Sequence, residues 1–340
     1  MITRKWTFPT IAIGLSLLLL TWALHEIYWP KSGGMDICAT QIGRDFINVW
    51  AAPQIALHDP IADLIDYKKY TGMASQLFGR PIPMVNWSYP PTTLLLYYPF
   101  SLPSYFVALA LWTSAGVAVC LGVLSAYCKQ TLWLILGFLT SPALIINIVS
   151  GQNGLFTASL LLGGMLALRR YPIIAGIAFG LLTFKPQLGI ILPFALIALK
   201  AWRTIVAAII TTVLFVGISI AVFGIDIWGQ YFANTVDMQF SFLYDFQGMY
   251  AVMMQSPFTA FRLVNFGFNT SFILQTMLAV FIIMHTMTML GRTQDLKRQA
   301  LIVVSATPLI TPYVFNYDMV ALAIPLTCLL WSQSTTLLWK

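Results

Sequence analysis

Apolar blocks of roughly membrane-span length recur along almost the whole chain, separated mostly by short polar connections. About 20 consecutive apolar residues suffice to cross a bilayer as a helix, with the backbone polar groups bonded inside the segment. Blocks of this kind from residue 8 to residue 331 point to a polytopic membrane protein. Composition agrees: 59% of the 340 residues are hydrophobic and 9% are charged, against about 25% charged in soluble domains. So little charge cannot cover a water-facing globule. We therefore expect one integral membrane domain over 1–340, all-α, with about ten spans.

The expected spans are 8–24, 104–124, 131–149, 155–168, 172–184, 188–199, 204–223, 270–290, 300–310 and 319–331. Two long loops, 25–91 and 224–269, interrupt them. Residues 92–100 are too short to span and lie among Pro90, Pro91, Pro99 and Pro103; they read as interfacial or re-entrant. Pro142 is expected to kink 131–149 without breaking it, because neighbouring helices can satisfy the freed carbonyl. Lys185-Pro186-Gln187 divides 172–199, which can also be read as a broken pair lining an internal cavity. In the first loop, FINVWAAPQIALHDP reads as a short helix on the membrane surface, with Asp45 near its start, and DLIDYKKYTGMASQLFG as a second short helix.

The net charge of +7 raises the question of nucleic acid, but its distribution argues against that partner. Arg4, Lys5, Lys129, Arg169, Arg170, Lys200, Arg203, Arg292, Lys297, Arg298 and Lys340 fall in one set of connections, and Asp295 alone of the acids joins them. The positive-inside rule makes that side cytoplasmic. Both termini are then cytoplasmic, and both long loops are extracytoplasmic. The expected location is the cell (inner or plasma) membrane, crossed many times. Block 8–24 lacks a clean small-x-small cleavage site, so an uncleaved anchor is expected rather than a signal peptide. Of the four cysteines, Cys38 alone clearly lies in a long loop, so no exported disulfide framework is expected.

Candidate chemistry concentrates on the extracytoplasmic side. Asp45, in GRDFINVW, is either an ordinary loop carboxylate or a general base whose basicity rises on desolvation. Arg44 either opposes that rise or binds a substrate phosphate. Lys185 is a lone ammonium in an apolar run; it either snorkels to headgroups or contacts a lipid phosphate, with Gln187 beside it as a donor. Gln152 and Asn153 form an ordinary turn or face a shared cavity. Trp87 and Tyr89 are interfacial anchors or stack on a sugar. Arg262 is the main positive charge of the second long loop and a candidate phosphate contact. Asn316 belongs to a polar cluster with Tyr313, Tyr317 and Asp318. The histidines His25, His58 and His285 have no metal-site spacing. The sequence demands no cofactor, and is compatible with Mg²⁺ or Mn²⁺ held between a loop carboxylate and a substrate phosphate.

Four segments in order carry a resemblance: GRDFINVW, WSYPPTTLLLYYPF, GQNGLFTASLLLGG and AGIAFGLLTFKPQLGIILPFALIALKAWR. Together they resemble the GT-C type membrane glycosyltransferases, in particular family 87, with its polyprenyl-phosphate-mannose-dependent mannosyltransferases. The resemblance covers residues 40–205 best. It departs at Asn316, where such enzymes often carry a histidine or a more polar aromatic set. It implies a GT-C-like fold and an inverting transfer of a sugar (mannose or a similar hexose or pentose). The implied donor is a polyprenyl-phosphate-linked sugar and the acceptor a lipid or glycan hydroxyl, with membrane lipids around both. It makes Asp45 the catalytic base and Lys185 a polar position facing the cavity; beside them, Arg44, Trp87, Tyr89, Gln152, Asn153, Gln187, Arg262 and Asn316 are expected at the substrates. The alternatives are a multispan transporter or lipid-linked glycan flippase, which would show pseudo-symmetric halves, and a non-enzymatic scaffold, which would tolerate Asp45→Asn.

Overall fold

The longest helices here come from apolar runs free of internal proline, whereas Pro142 and Pro186 each divide an apolar run. The computed structural model describes residues 14–18, 21, 22, 25, 34, 35, 40–59, 61–129 and 132–336. Most of block 8–24, with Arg4, Lys5, Cys38 and Lys340, lies outside the described residues. Among those described the chain is all-α, with no strand. In chain order the helices are α1 (Phe46–His58), α2 (Ile61–Ile65), α3 (Tyr67–Phe78), α4 (Thr92–Ser101), α5 (Tyr105–Tyr127), α6 (Leu132–Leu139), α7 (Pro142–Ser150), α8 (Gly154–Ala167) and α9 (Pro172–Leu181). They continue as α10 (Leu192–Ala198), α11 (Trp202–Phe223), α12 (Asp226–Gln230), α13 (Val236–Asp245), α14 (Gly248–Met253), α15 (Pro257–Leu263), α16 (Phe268–Arg292), α17 (Leu296–Ile310) and α18 (Val320–Thr336).

Among the described residues three helices, α5, α11 and α16, are long and apolar enough to cross a membrane by length and composition. On α11, the side chains of Val206, Ile209, Ile210, Val213, Leu214 and Ile218 are exposed. Such a surface belongs in hydrocarbon, and the protein is a membrane protein. Among the described residues the other expected spans form shorter helices, so three clear crossings stand and the rest of the expected ten are not established. Pro142 does break its block: it takes the first position of α7, where a missing N–H costs nothing, and α6 ends before it. The interval 224–269, expected as a loop, is largely helical and includes a π-helical turn at Tyr231–Thr235.

Helix α1 differs most from expectation. Rather than lying on a membrane surface, it buries Phe46, Ile47, Val49, Ala51, Ala52 and Ile55 against α4 and α5. An interfacial helix needs one polar face; α1 is apolar on nearly all sides and is buried as such helices are. Its neighbour α3 is amphipathic and capped at both ends. The Asp66 carboxylate accepts from the N–H groups of Lys68 and Lys69, and Gly79 closes the helix with φ +63°.

Among the described residues three cores result. One joins α1, α3, α4 and α5; a second, larger core joins α5 to α10 with α16, α17 and α18; a third, small one gathers Leu243, Met254, Phe258, Phe315 and Tyr317. In the larger core α9 lies directly on α11. A Cβ on Gly176 would meet Ala207, and one on Gly180 would meet Thr211; small residues four apart let the two backbones approach. Cys128, just past α5, is joined to Cys328 of α18, with Cα atoms 6.6 Å apart. This pair lies outside both long loops, where an exported disulfide framework was not expected.

Candidate active site

The corner between α7 and α8 organises the site. Helix α7 ends on Gly151, in the left-handed region at φ +65°, with the Gly151 N–H bonded to Ile148 O and the Gln152 N–H to Asn147 O. This double closure turns the chain sharply and leaves Gln152 and Asn153 projecting before α8 begins. The corner sits hard against the start of α1: the Asp45 N–H donates to Ser150 O at 3.0 Å, and a Cβ on Gly151 would overlap Gly43 O and Phe46. Tyr105 of α5 secures the same turn by donating its hydroxyl to Ile42 O.

Backbone contact thus brings Asp45 and Gln152 together across more than a hundred residues. The Gln152 amide donates from Nε2 to Asp45 Oδ2 at 2.8 Å, and its Oε1 accepts from the Tyr89 hydroxyl at 3.2 Å. Asp45 stands at the N-cap of α1 but makes no capping bond; its carboxylate faces Gln152 instead. Protein surrounds the carboxylate while part of the residue stays accessible. Burial pushes the Asp45 carboxyl above its usual range, opposed by the Gln152 bond and by the charges of Arg44 and Lys185. Arg44 holds a strained φ of +32° in this turn.

Lys185 occupies the break between α9 and α10 and is 3% exposed. Its ammonium donates to Asp318 Oδ1 at 2.5 Å and to Asn153 Oδ1 at 3.1 Å, and lies 4.6 Å from the centre of the Tyr317 ring. Asp318 also accepts from the Phe315 N–H, and Asn153 donates to the Tyr97 hydroxyl. The cation is therefore paired within the protein. Asp318, read in the sequence only as part of a polar cluster, is the partner that a lone lysine in an apolar run requires. The signal available was its position at the start of the last apolar block.

A recess with about 40 Å³ of free space is lined by Tyr89, Lys185, Gln187, Tyr231, Gln239, Tyr313 and Tyr317, among others. Tyr89 belongs both to this wall and to the bond that reaches Asp45 through Gln152. Other candidates stand further back. Trp87 is 2% exposed, its ring packed edge-on against Tyr89 and Tyr97. Asn316 accepts from the Tyr317 N–H and shapes its own turn. The Arg262 guanidinium donates to Tyr244 O and Phe266 O and lies over the Phe246 ring, tying α13 to α15.

Among the described residues no three His, Cys, Asp or Glu side chains converge on a point. Asp318 is committed to Lys185, and Asp45 faces an amide and an arginine. These donor sets do not fit a resident divalent cation. A model of glycosyltransferase family 87 matches residues 87–312, more than half of the chain. The chain belongs to glycosyltransferase family 87. No curated protein and no solved structure matches it. The family 87 match includes Trp87, Tyr89, Gln152, Asn153, Lys185, Gln187 and Arg262, whereas Arg44, Asp45 and Asn316 lie outside the matched segment. The protein is thus a membrane-embedded family 87 glycosyltransferase.

Proposed function

We propose that this enzyme moves a hexose or pentose, mannose or a similar sugar, from a polyprenyl-phosphate donor to a lipid or glycan hydroxyl, with inversion. Asp45 is the base. The acceptor oxygen attacks the anomeric carbon as the sugar–phosphate C–O bond breaks. The electron pair of that bond leaves with the phosphate, and the acceptor proton passes to the Asp45 carboxylate. A lipid phosphate is a good leaving group and needs no proton donor, only nearby positive charge and N–H groups.

One observation carries this reading: a desolvated, partly accessible carboxylate held by a neutral amide, which Tyr89 links to a recess lined by Lys185. Tyr89, Tyr231, Tyr313 and Tyr317 suit the apolar face of a sugar, and Gln187 and Gln239 suit its hydroxyls. Pro186 lines both this recess and an apolar groove of about 490 Å³ between α9, α10 and α11. A donor with its sugar in the recess has a dry path for its tail. Sugar entry requires the wall to open. Gln239 of α13 lines the recess and is tied to Ser88 O, and the adjoining α14 is tied by Tyr250 to Asn86. The charge distribution favours a multipass arrangement in the inner or plasma membrane, both termini cytoplasmic and the recess extracytoplasmic.

The test is purified protein incubated with radiolabelled undecaprenyl-phosphate mannose and membrane lipid acceptors. Asp45→Asn should abolish transfer while donor binding persists. Full turnover by that variant removes Asp45 from the chemistry.

A further inference from the structure

We infer that Gln152 is a positioning residue: its amide holds the Asp45 carboxylate, and the Tyr89 hydroxyl on the recess wall fixes that amide. The inference rests on Asp45 acting as the base.

Gln152 has little left to offer a substrate. Its N–H donates to Asn147 O, and its backbone carbonyl accepts from Trp112 Nε1 at 3.3 Å. Its Oε1 accepts from Tyr89 and its Nε2 donates to Asp45. An ionised carboxylate is an acceptor only, so the amide nitrogen must face Asp45. The amide oxygen then faces Tyr89, whose hydroxyl must donate. Each bond thus fixes the direction of the next. Gln152 is 6% exposed and does not line the recess, whereas Tyr89 does. A side chain with both ends engaged and no cavity face orients another group rather than binding substrate.

The corner holds this arrangement in place. Gly151 allows the two backbones to touch, and the Asp45 N–H to Ser150 O bond sets their register. A neutral donor suits a base better than a cation: it orients the carboxylate without forming an ion pair that would lower its basicity further. The other groups acting on Asp45 are Arg44 from its own turn and Lys185 from the break after α9. The phenols of Tyr89, Tyr97, Tyr105, Tyr250 and Tyr317 also interact with it.

The experiment uses full-length protein in nanodiscs. Infrared difference spectra across pH identify the protonated Asp45 carboxyl as the band missing in Asp45→Asn. In Gln152→Met, which keeps the length and removes the donor, the midpoint of that band should rise by roughly one pH unit. Tyr89→Phe should move it in the same direction by less, and remains informative if Gln152→Met fails to fold. With undecaprenyl-phosphate mannose as donor, Gln152→Met should lose roughly 10- to 100-fold in kcat with KM nearly unchanged. An unmoved midpoint in folded Gln152→Met overturns the assignment, as does a raised KM with intact kcat, which would make Gln152 a substrate contact. Full transfer by Asp45→Asn would instead defeat the base reading, and the infrared midpoint would still report whether Gln152 holds Asp45.

Discussion

Two carboxylates lie near the recess, and the protein treats them in opposite ways. Asp318 is buried against an ammonium and an N–H, so its charge is neutralised on the spot. Asp45 is desolvated but receives an amide, with Arg44 and Lys185 acting only at longer range. A carboxylate paired directly with a buried cation is committed to that pair; one raised by burial and held by a neutral donor keeps its basicity. The difference separates a structural acid from a chemical one. The first clamps the turn before α18 to the break between α9 and α10. The second is left costly in the folded state, as functional groups often are.

The largest expected effect is on activity. Asp45→Asn should lower kcat by about 10³-fold, within the range for general bases. Because burial raises the Asp45 carboxyl, its ionised form opposes folding at neutral pH, and this cost disappears as pH falls through the raised value. The neutral asparagine should therefore unfold at an equal or higher temperature than the parent. A large fall in Tm would place Asp45 with the structural acids and end the contrast.

Asp318→Ala should do the reverse. It leaves the Lys185 ammonium buried without its counter-charge, at a cost of about 3–5 kcal/mol, read as a large drop in Tm. The double change Lys185→Met with Asp318→Leu should recover most of that loss, since apolar replacement of both partners is often tolerated. Donor binding by the double variant decides what Lys185 does. Unchanged affinity makes it purely structural, and weakened affinity in a folded protein makes its charge part of phosphate recognition.

Gly151→Ala should be next. The left-handed conformation and the contact with Gly43 O and Phe46 leave no room for a methyl group. About 1–3 kcal/mol of strain is expected, together with lower kcat, because the corner and Asp45 would separate. Normal kcat and Tm would mean that the contact is not needed to hold the base.

The pH dependence follows from the same burial. A base must be ionised, so kcat/KM should fall as pH drops through the raised Asp45 value. The acid limb should therefore lie above the range near 4 of an ordinary carboxylate. A flat profile down to pH 4 would show that desolvation does not govern Asp45.

What could be read in the sequence divides along physical lines. The long helices α5, α11 and α16 follow from uninterrupted apolar runs, whose burial in lipid needs no knowledge of neighbours. The break at Lys185-Pro186 was legible because proline and a lone charge both demand accommodation. The burial of α1 was not, although its nearly all-round apolar character hinted at it; a short apolar helix can lie on a bilayer or inside a protein, and only its partners α4 and α5 decide. Asp45 could be singled out, but its bond to Gln152 could not. That bond depends on Gly151 meeting Gly43, a contact between distant turns with no local signal. Likewise Lys185 announced a need for a partner without naming Asp318.

The cations extend the comparison to its smallest effect. Lys185 is enclosed, whereas Arg262 lies partly open, bonded to the carbonyls of Tyr244 and Phe266 and stacked on Phe246. A guanidinium used in this way joins two loop segments and has little desolvation to recover. Arg262→Gln should cost ~1 kcal/mol or less in stability. Donor affinity should stay within about twofold, a change of under half a kcal/mol. Titrating labelled undecaprenyl-phosphate mannose onto this variant and onto the Lys185→Met, Asp318→Leu protein ranks the two cations directly. A larger loss at Arg262 would move phosphate recognition to the α13–α15 side of the recess and leave the buried pair as a clamp alone.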